Sequence, residues 1–130
     1  MTIPLSTLYT ILDIQQVDEQ YRYKLQLHPD HSIYKGHFPQ QPILPGVCFL
    51  QIVTELTSQA TGAILRLTQL RAAKFPSPLN PNQHPILVLK LCPKPLVPQQ
   101  WTVEATATAD KVTFLKFKGT FKVLTSRSIT

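Results

Sequence analysis

Acidic side chains are scarce in this chain. Seven Asp and Glu stand against 13 Lys and Arg in 130 residues, giving a net charge of +6 at pH 7 and a pI near 9.6. Such a field predicts either a solvated, lysine-rich surface or docking to an acidic partner, which it would steer. No nucleic-acid partner is expected, because no binding motif and little aromatic interleaving accompany the charge. Cysteine is nearly absent. Cys48 and Cys92 make no disulfide framework, and Cys48, within an apolar run, reads as a small buried hydrophobe. A reducing cytoplasm is the expected compartment. No stretch approaches the roughly 18 apolar residues of a membrane span, so no membrane partner is expected. Met1-Thr2-Ile3-Pro4 opens without a basic region leading into an apolar run, so no secretory leader is expected. Repeats, low-complexity tracts and linkers are also missing. With 43% hydrophobic residues, the chain is expected to form one domain over residues 1–130, its polar tail fraying from about Thr125.

What the chain does have is an unusual stretch at 34–51, Tyr-Lys-Gly-His-Phe-Pro-Gln-Gln-Pro-Ile-Leu-Pro-Gly-Val-Cys-Phe-Leu-Gln. Pro39, Pro42 and Pro45 each fix φ and remove a donor, so neither a helix nor a central strand runs through them. Gly36 and Gly46 bracket this stiff loop, and His37 sits within it. A histidine held beside a helix start is well placed for proton transfer. From Gly46 the text turns apolar almost all round, the pattern of a buried helix over 46–60 with Gly62 placed to end it. Pro45 and Gly46 suit the first turn, and free amides there bind anions or polarise carbonyls.

Gly36-His37-Phe38-Pro39, Pro42-Ile43-Leu44 and Pro45-Gly46-Val47 together resemble the active-site segment of the β-hydroxyacyl-acyl-carrier-protein dehydratases of the hotdog superfamily. A second segment, Lys74-Phe75-Pro76-Ser77-Pro78-Leu79-Asn80-Pro81, resembles the family's Lys-Phe-x-x-Pro-Val-x-Pro. The resemblance implies dehydration of a 3-hydroxyacyl thioester to the trans-2-enoyl thioester, in fatty-acid or polyene-type lipid synthesis. His37 would be the catalytic base and the Gly46 amide would hold the carbonyl. Phe38, Pro45, Val47 and Leu50 would line the substrate site. It further implies an acyl carrier protein as partner, no cofactor and no metal. The assembly would be a homodimer or higher even oligomer, with His37 of one subunit facing the helix of the other. The sequence departs from the family at two positions. The helix carboxylate is replaced by Gln51, and the Gly after Gly-His-Phe-Pro by Gln40. Gln51 can donate a hydrogen bond to the leaving oxygen but does not readily give it a proton.

Two readings of Gln51 stay open. With Thr54, Glu55 and Ser58 it falls on one helical face, which would make it the head of a polar stripe. Its setting in the most apolar part of the helix instead points to the substrate pocket. Glu55, one turn along, is a nearby acid expected not to reach the site, since one turn rises about 5.4 Å. His28, Asp30, His31 and His37 invite a metal reading, but Pro29 and Gly36 break the spacing and no cysteine joins them; His28 and His31 read as loop residues.

The rest of the chain is strand text. Tyr21, Tyr23, Leu25 and Leu27 alternate with polar residues. Residues 63–75 and 86–92 read as strands, with Pro93, Pro95 and Pro98 as a turn. Trp101 to Ala109 alternates with Thr and Glu, Asp110-Lys111 makes a hairpin, and Leu115, Phe117, Phe121 and Val123 alternate with Lys and Thr. Residues 5–14 show no clear period and read as either a short strand or a short helix. A sheet apolar on one face needs a cover, and the long helix supplies it. The expected class is α+β, a hotdog fold with one antiparallel sheet wrapped around one central helix. Besides the dehydratase, two alternatives remain: a non-catalytic acyl-thioester or carrier-protein binding subunit paired with an active paralogue, and a thioesterase. The thioesterase usually needs a carboxylate that Gln51 does not supply.

Overall fold

The computed structural model describes residues 8–35 and 42–126, with side chains through 124. In chain order the elements are β1 (Tyr9–Val17), β2 (Gln20–Leu27), a 3-10 turn (Ser32–Tyr34), α1 (Gly46–Thr61), β3 (Ala63–Lys74), β4 (Ile86–Val97), β5 (Gln100–Ala109) and β6 (Val112–Ser126). The strands form one sheet in the order β1-β2-β4-β5-β6-β3, with every pairing antiparallel. Period-two patterning decides which face is covered. Tyr23, Leu25, Leu87, Leu89, Leu91, Val103, Ala107, Leu115 and Phe121 are all within 1% of full burial and share a core with Phe49, Ile52, Val53 and Leu56 of α1. Each such large apolar side chain contributes about 1.5–3 kcal/mol by leaving water. One antiparallel sheet packed on one helix is the hotdog arrangement expected from the sequence.

Tyrosines of β2 fasten the helix to the sheet. The Tyr23 hydroxyl donates to the Leu56 carbonyl at 3.3 Å, and the Tyr21 hydroxyl to the Ala60 carbonyl at 3.4 Å. Gly62 ends α1 as expected: its φ of +72° is the left-handed region, and its N–H closes on the Ser58 carbonyl. The β5–β6 hairpin turns on Asp110 and Lys111, at φ +51° and +68°. Positive φ at both turn residues matches the right-handed twist of the flanking strands.

One reading left open is resolved and two expectations need correction. The 5–14 stretch, open between a short strand and a helix, is edge strand β1 from Tyr9. Most of its side chains are exposed and a bulge interrupts its pairing between Ile11 and Asp13, so no period was written into it. Pro93 and Pro95 do not form a turn. Strand β4 continues through them to Val97, paired only with β5 there, because its register with β2 ends at Leu91. A proline is tolerated where one side of a strand has no ladder partner. The backbone pairing of β6 runs to Thr125 and Ser126, opposite Ile64 and Ala63. The apolar alternation of β6 also breaks, since Phe114 and Leu115 are both buried across a bulge opposite Ala107 and Thr108.

Candidate active site

The candidate site lies where the described part of the first motif, from Pro42, meets the second. The Leu44 N–H donates to the Leu79 carbonyl at 2.9 Å, tying the segment before the helix to the proline-rich segment after β3. Leu44 and Leu79 are both buried. From the second motif, the Phe75 ring lies against Gly46: a Cβ at residue 46 would stand 2.9 Å from Phe75 Cζ. The same ring packs on Phe49 with centroids 5.8 Å apart. The chain therefore enters the helix between an aromatic wall and the sheet.

Pro45 is the N-cap, one position earlier than a first-turn residue, with φ −63° and ψ 148°. Its carbonyl accepts from the Cys48 N–H at 3.0 Å and from the Phe49 N–H at 3.4 Å. The Gly46 and Val47 amides precede these and are among the donors a helix start leaves without intrahelical partners. No acidic side chain occupies the first turn, so the positive end of the helix dipole is uncompensated there.

His37 and Phe38 lie outside the described residues. The segment leading to them is firmly anchored. The His31 ring accepts the Ile33 N–H on Nδ1 at 2.9 Å and caps the 3-10 turn. Tyr34 is buried, and its hydroxyl has no partner among the described residues. Burial pushes the Tyr34 hydroxyl pKa well above the ordinary tyrosine range, with the neighbouring Cys48 adding to the effect. Burial raises the Cys48 thiol too. His28 sits against Thr10, its Nε2 2.7 Å from Oγ1. Both histidines thus occupy loop roles. Among the described residues no three His, Cys, Asp or Glu side chains are grouped to hold a metal.

The helix residues divide by face. Cys48, Phe49, Ile52, Val53 and Leu56 are buried, while Val47 is 55% exposed and Leu50 and Gln51 are half-buried. Val47, Gln51 and Glu55 follow one another at four-residue spacing on the side turned away from the sheet. The expected polar stripe is not continuous, because Ser58 is buried and Thr54 turns back to donate to the Leu50 carbonyl at 2.8 Å. Glu55 accepts from the Tyr9 hydroxyl on Oε1 at 3.2 Å. Sequence reading missed Tyr34, the contact of Phe75 with Gly46 and the Tyr9–Glu55 pair. Tyr34 lay within the motif with no pattern to mark it, and the other two join residues about 30 and 46 positions apart.

The family described as ApeI-like, ApeI dehydratase, matches residues 13–120. The chain belongs to the ApeI-like dehydratase family. Among solved structures, this ApeI-like chain is similar to a chain of the dehydratase heterocomplex ApeI:P from Xenorhabdus doucetiae, at 24% identity and TM-score 0.71, covering 88% of this chain and 97% of that one. An uncharacterized protein from Erwinia carotovora subsp. atroseptica is 25% identical with TM-score 0.56, covering 91% and 95%. A hypothetical thioesterase from Streptococcus pneumoniae, solved with coenzyme A, shares the fold at 12% identity and TM-score 0.66, covering 95% and 93%. A comparison with curated proteins finds no match. No helix among the described residues of the ApeI-like chain is long and apolar enough to cross a membrane.

Proposed function

We propose that the chain, as one domain over 1–130, dehydrates a 3-hydroxyacyl thioester carried on an acyl carrier protein. The observation that carries this reading is the helix start. The Gly46 and Val47 amides open a helix whose first two turns are mostly apolar, with Phe75 packed so closely on Gly46 that a side chain there would displace the ring. Such amides stabilise the negative charge that develops on a thioester carbonyl when the α-carbon loses its proton. His37 takes that proton. The β-hydroxyl leaves, the α–β double bond forms, and the same imidazolium returns the proton to the departing oxygen as water is released. Gln51 donates a hydrogen bond to that oxygen. Phe38, Pro45, Val47 and Leu50 line the acyl path. The side of α1 that carries Val47 and Gln51 turns away from its own sheet, which supports a second copy completing the site. A cytoplasmic homodimer or higher even oligomer without a cofactor goes with this reading.

The test is an assay with 3-hydroxyacyl-carrier-protein substrates for wild type, His37→Ala and Gln51→Glu. His37→Ala should lose about 10² to 10⁴ in rate, the usual worth of a positioned acid–base group. Gln51→Glu should keep or raise the rate. A second reading is favoured by the heterocomplex in which a similar dehydratase chain was solved: a binding subunit that works beside an active paralogue. An inactive wild type that binds the carrier tightly would replace the first reading with the second.

A further inference from the structure

Pairing registers gather cations that the sequence scatters. On the sheet face opposite α1, Arg22 pairs with Lys90, Lys90 with Thr106, Thr106 with Lys116, and Lys116 with Lys74. One row thus crosses β2, β4, β5, β6 and β3 and carries four positive charges. Lys24 and Lys118 flank it, and Lys94, Lys122 and Arg66 lie in the next rows along the strands. All of these cations are exposed. Five strands at about 4.8 Å spacing make the field about 20 Å wide, and the six-residue step from Lys116 to Lys122 makes it about as long.

Little opposes it. Of the seven acids, only Glu104, 4.0 Å from Lys118, and Asp13, beside Arg22 and Lys24, lie on this face. Asp18, Glu19, Asp30 and Asp110 sit in turns, and Glu55 is on the helix.

We infer that this outer sheet face docks on an anionic phospholipid surface. Seven of the nine cations named are lysines, compact hydrated charges that answer to total charge and not to the forked geometry of a single phosphate. No described strand aromatic is exposed on this face, so stacking on nucleic-acid bases is not provided for. The field is broad and spread over five strands. A single acidic helix, about 10 Å wide, would leave half of it unpaired, whereas a bilayer surface meets it across its width. The sheet stands between this face and α1, so the contact leaves the helix start on the far side. The sequence reading predicted no membrane partner because it rested on the length of apolar runs, whereas this face is assembled by strand pairing between distant segments.

The test is cosedimentation with vesicles containing about 30 mol % phosphatidylserine or phosphatidylglycerol, against neutral phosphatidylcholine vesicles. Wild type should bind only the anionic vesicles, and the bound fraction should collapse between about 50 and 300 mM salt as screening shortens. Lys90→Glu with Lys116→Glu should lower partitioning at least about tenfold. Lys35→Glu with Lys111→Glu, off this face and with the same change in net charge, should lower it by less than about threefold. Lys90→Gln with Lys116→Gln gives a milder version should the charge reversal unfold the sheet, checked by circular dichroism. The inference is overturned by no binding to anionic vesicles, by equal losses in the two reversal pairs, or by tight capture of RNA or an acidic carrier protein on this face without vesicle binding.

Discussion

The Tyr9 hydroxyl donates to Glu55 Oε1 across 3.2 Å, reaching from the edge strand β1 to the outer side of the helix. Tyr9 is only 6% exposed, so the donor is fixed, and Glu55 is drawn toward β1. The pair supports the expectation that Glu55, one turn past Gln51, takes no part in the proposed chemistry. Glu55→Gln is therefore expected to change the dehydration rate by no more than about threefold, far below the 10²-fold or larger loss that removing a general acid brings. A steady-state assay decides; a 10²-fold loss would make Glu55 the acid.

Alkaline pH should loosen the fold through its tyrosines. Burial raises the pKa of Tyr9, with the Glu55 charge and hydrogen bond adding to it, and burial followed by Tyr21 raises that of Tyr23. Tyr34 is raised as well. A raised folded-state pKa means the native state holds its proton where the unfolded chain has released it. The stability is therefore fully present below the unfolded tyrosine pKa of about 10 and is lost as pH rises above it. Urea midpoints should be level from pH 8 to about 9.5 and fall beyond pH 10. Tyr9→Phe should flatten part of that fall; an unchanged slope would rule out Tyr9 as a contributor.

Gly119 should resist even a methyl group. Its added Cβ would stand 2.8 Å from Phe117 Cζ, and 3.0 Å from both the Gln69 carbonyl oxygen and Leu67 Cδ1. The pairing of β3 with β6 is irregular on both sides of this point, between Leu67 and Gln69 and between Leu70 and Ala72. Alanine usually gains about 0.5–1 kcal/mol over glycine within a strand. Here overpacking against a backbone carbonyl should outweigh that gain, for a net loss of about 1–2 kcal/mol in urea unfolding. A stabilised Gly119→Ala would show that β3 can shift freely.

Gly62 tests the opposite situation. Nothing stands within 4 Å of an added Cβ, so the cost of Gly62→Ala comes from its φ of +72° alone. A loss of about 1 kcal/mol is expected, the left-handed penalty for a residue with a Cβ. Thermal unfolding measures it, and a loss near zero would mean the helix end relaxes.

Much of this was readable along the chain. The helix from Gly46 to its left-handed cap at Gly62, the Asp110-Lys111 hairpin and the inward tyrosines and leucines of β2 follow from local φ preferences and period-two alternation. The edge strand β1 was not legible because exposed side chains carry no alternation. The prolines of β4 misled because a proline forbids a strand only where both its neighbours are in place. Of the proposed site, the sequence offered the candidates but gave no account of the Leu44–Leu79 tie or of the Phe75 ring on Gly46.

By itself the sequence determined the helix and its cap, the β5–β6 hairpin, the buried faces of β2 and β5 and the charge balance, since these depend on a residue and its near neighbours. Only the tertiary structure decided that Leu44 meets Leu79, that Tyr9 holds Glu55, and that Arg22, Lys90, Lys116 and Lys74 fall in one row. Those relations are fixed by strand order and pairing register between segments far apart in the chain, and a shift of one residue would send each side chain to the other face.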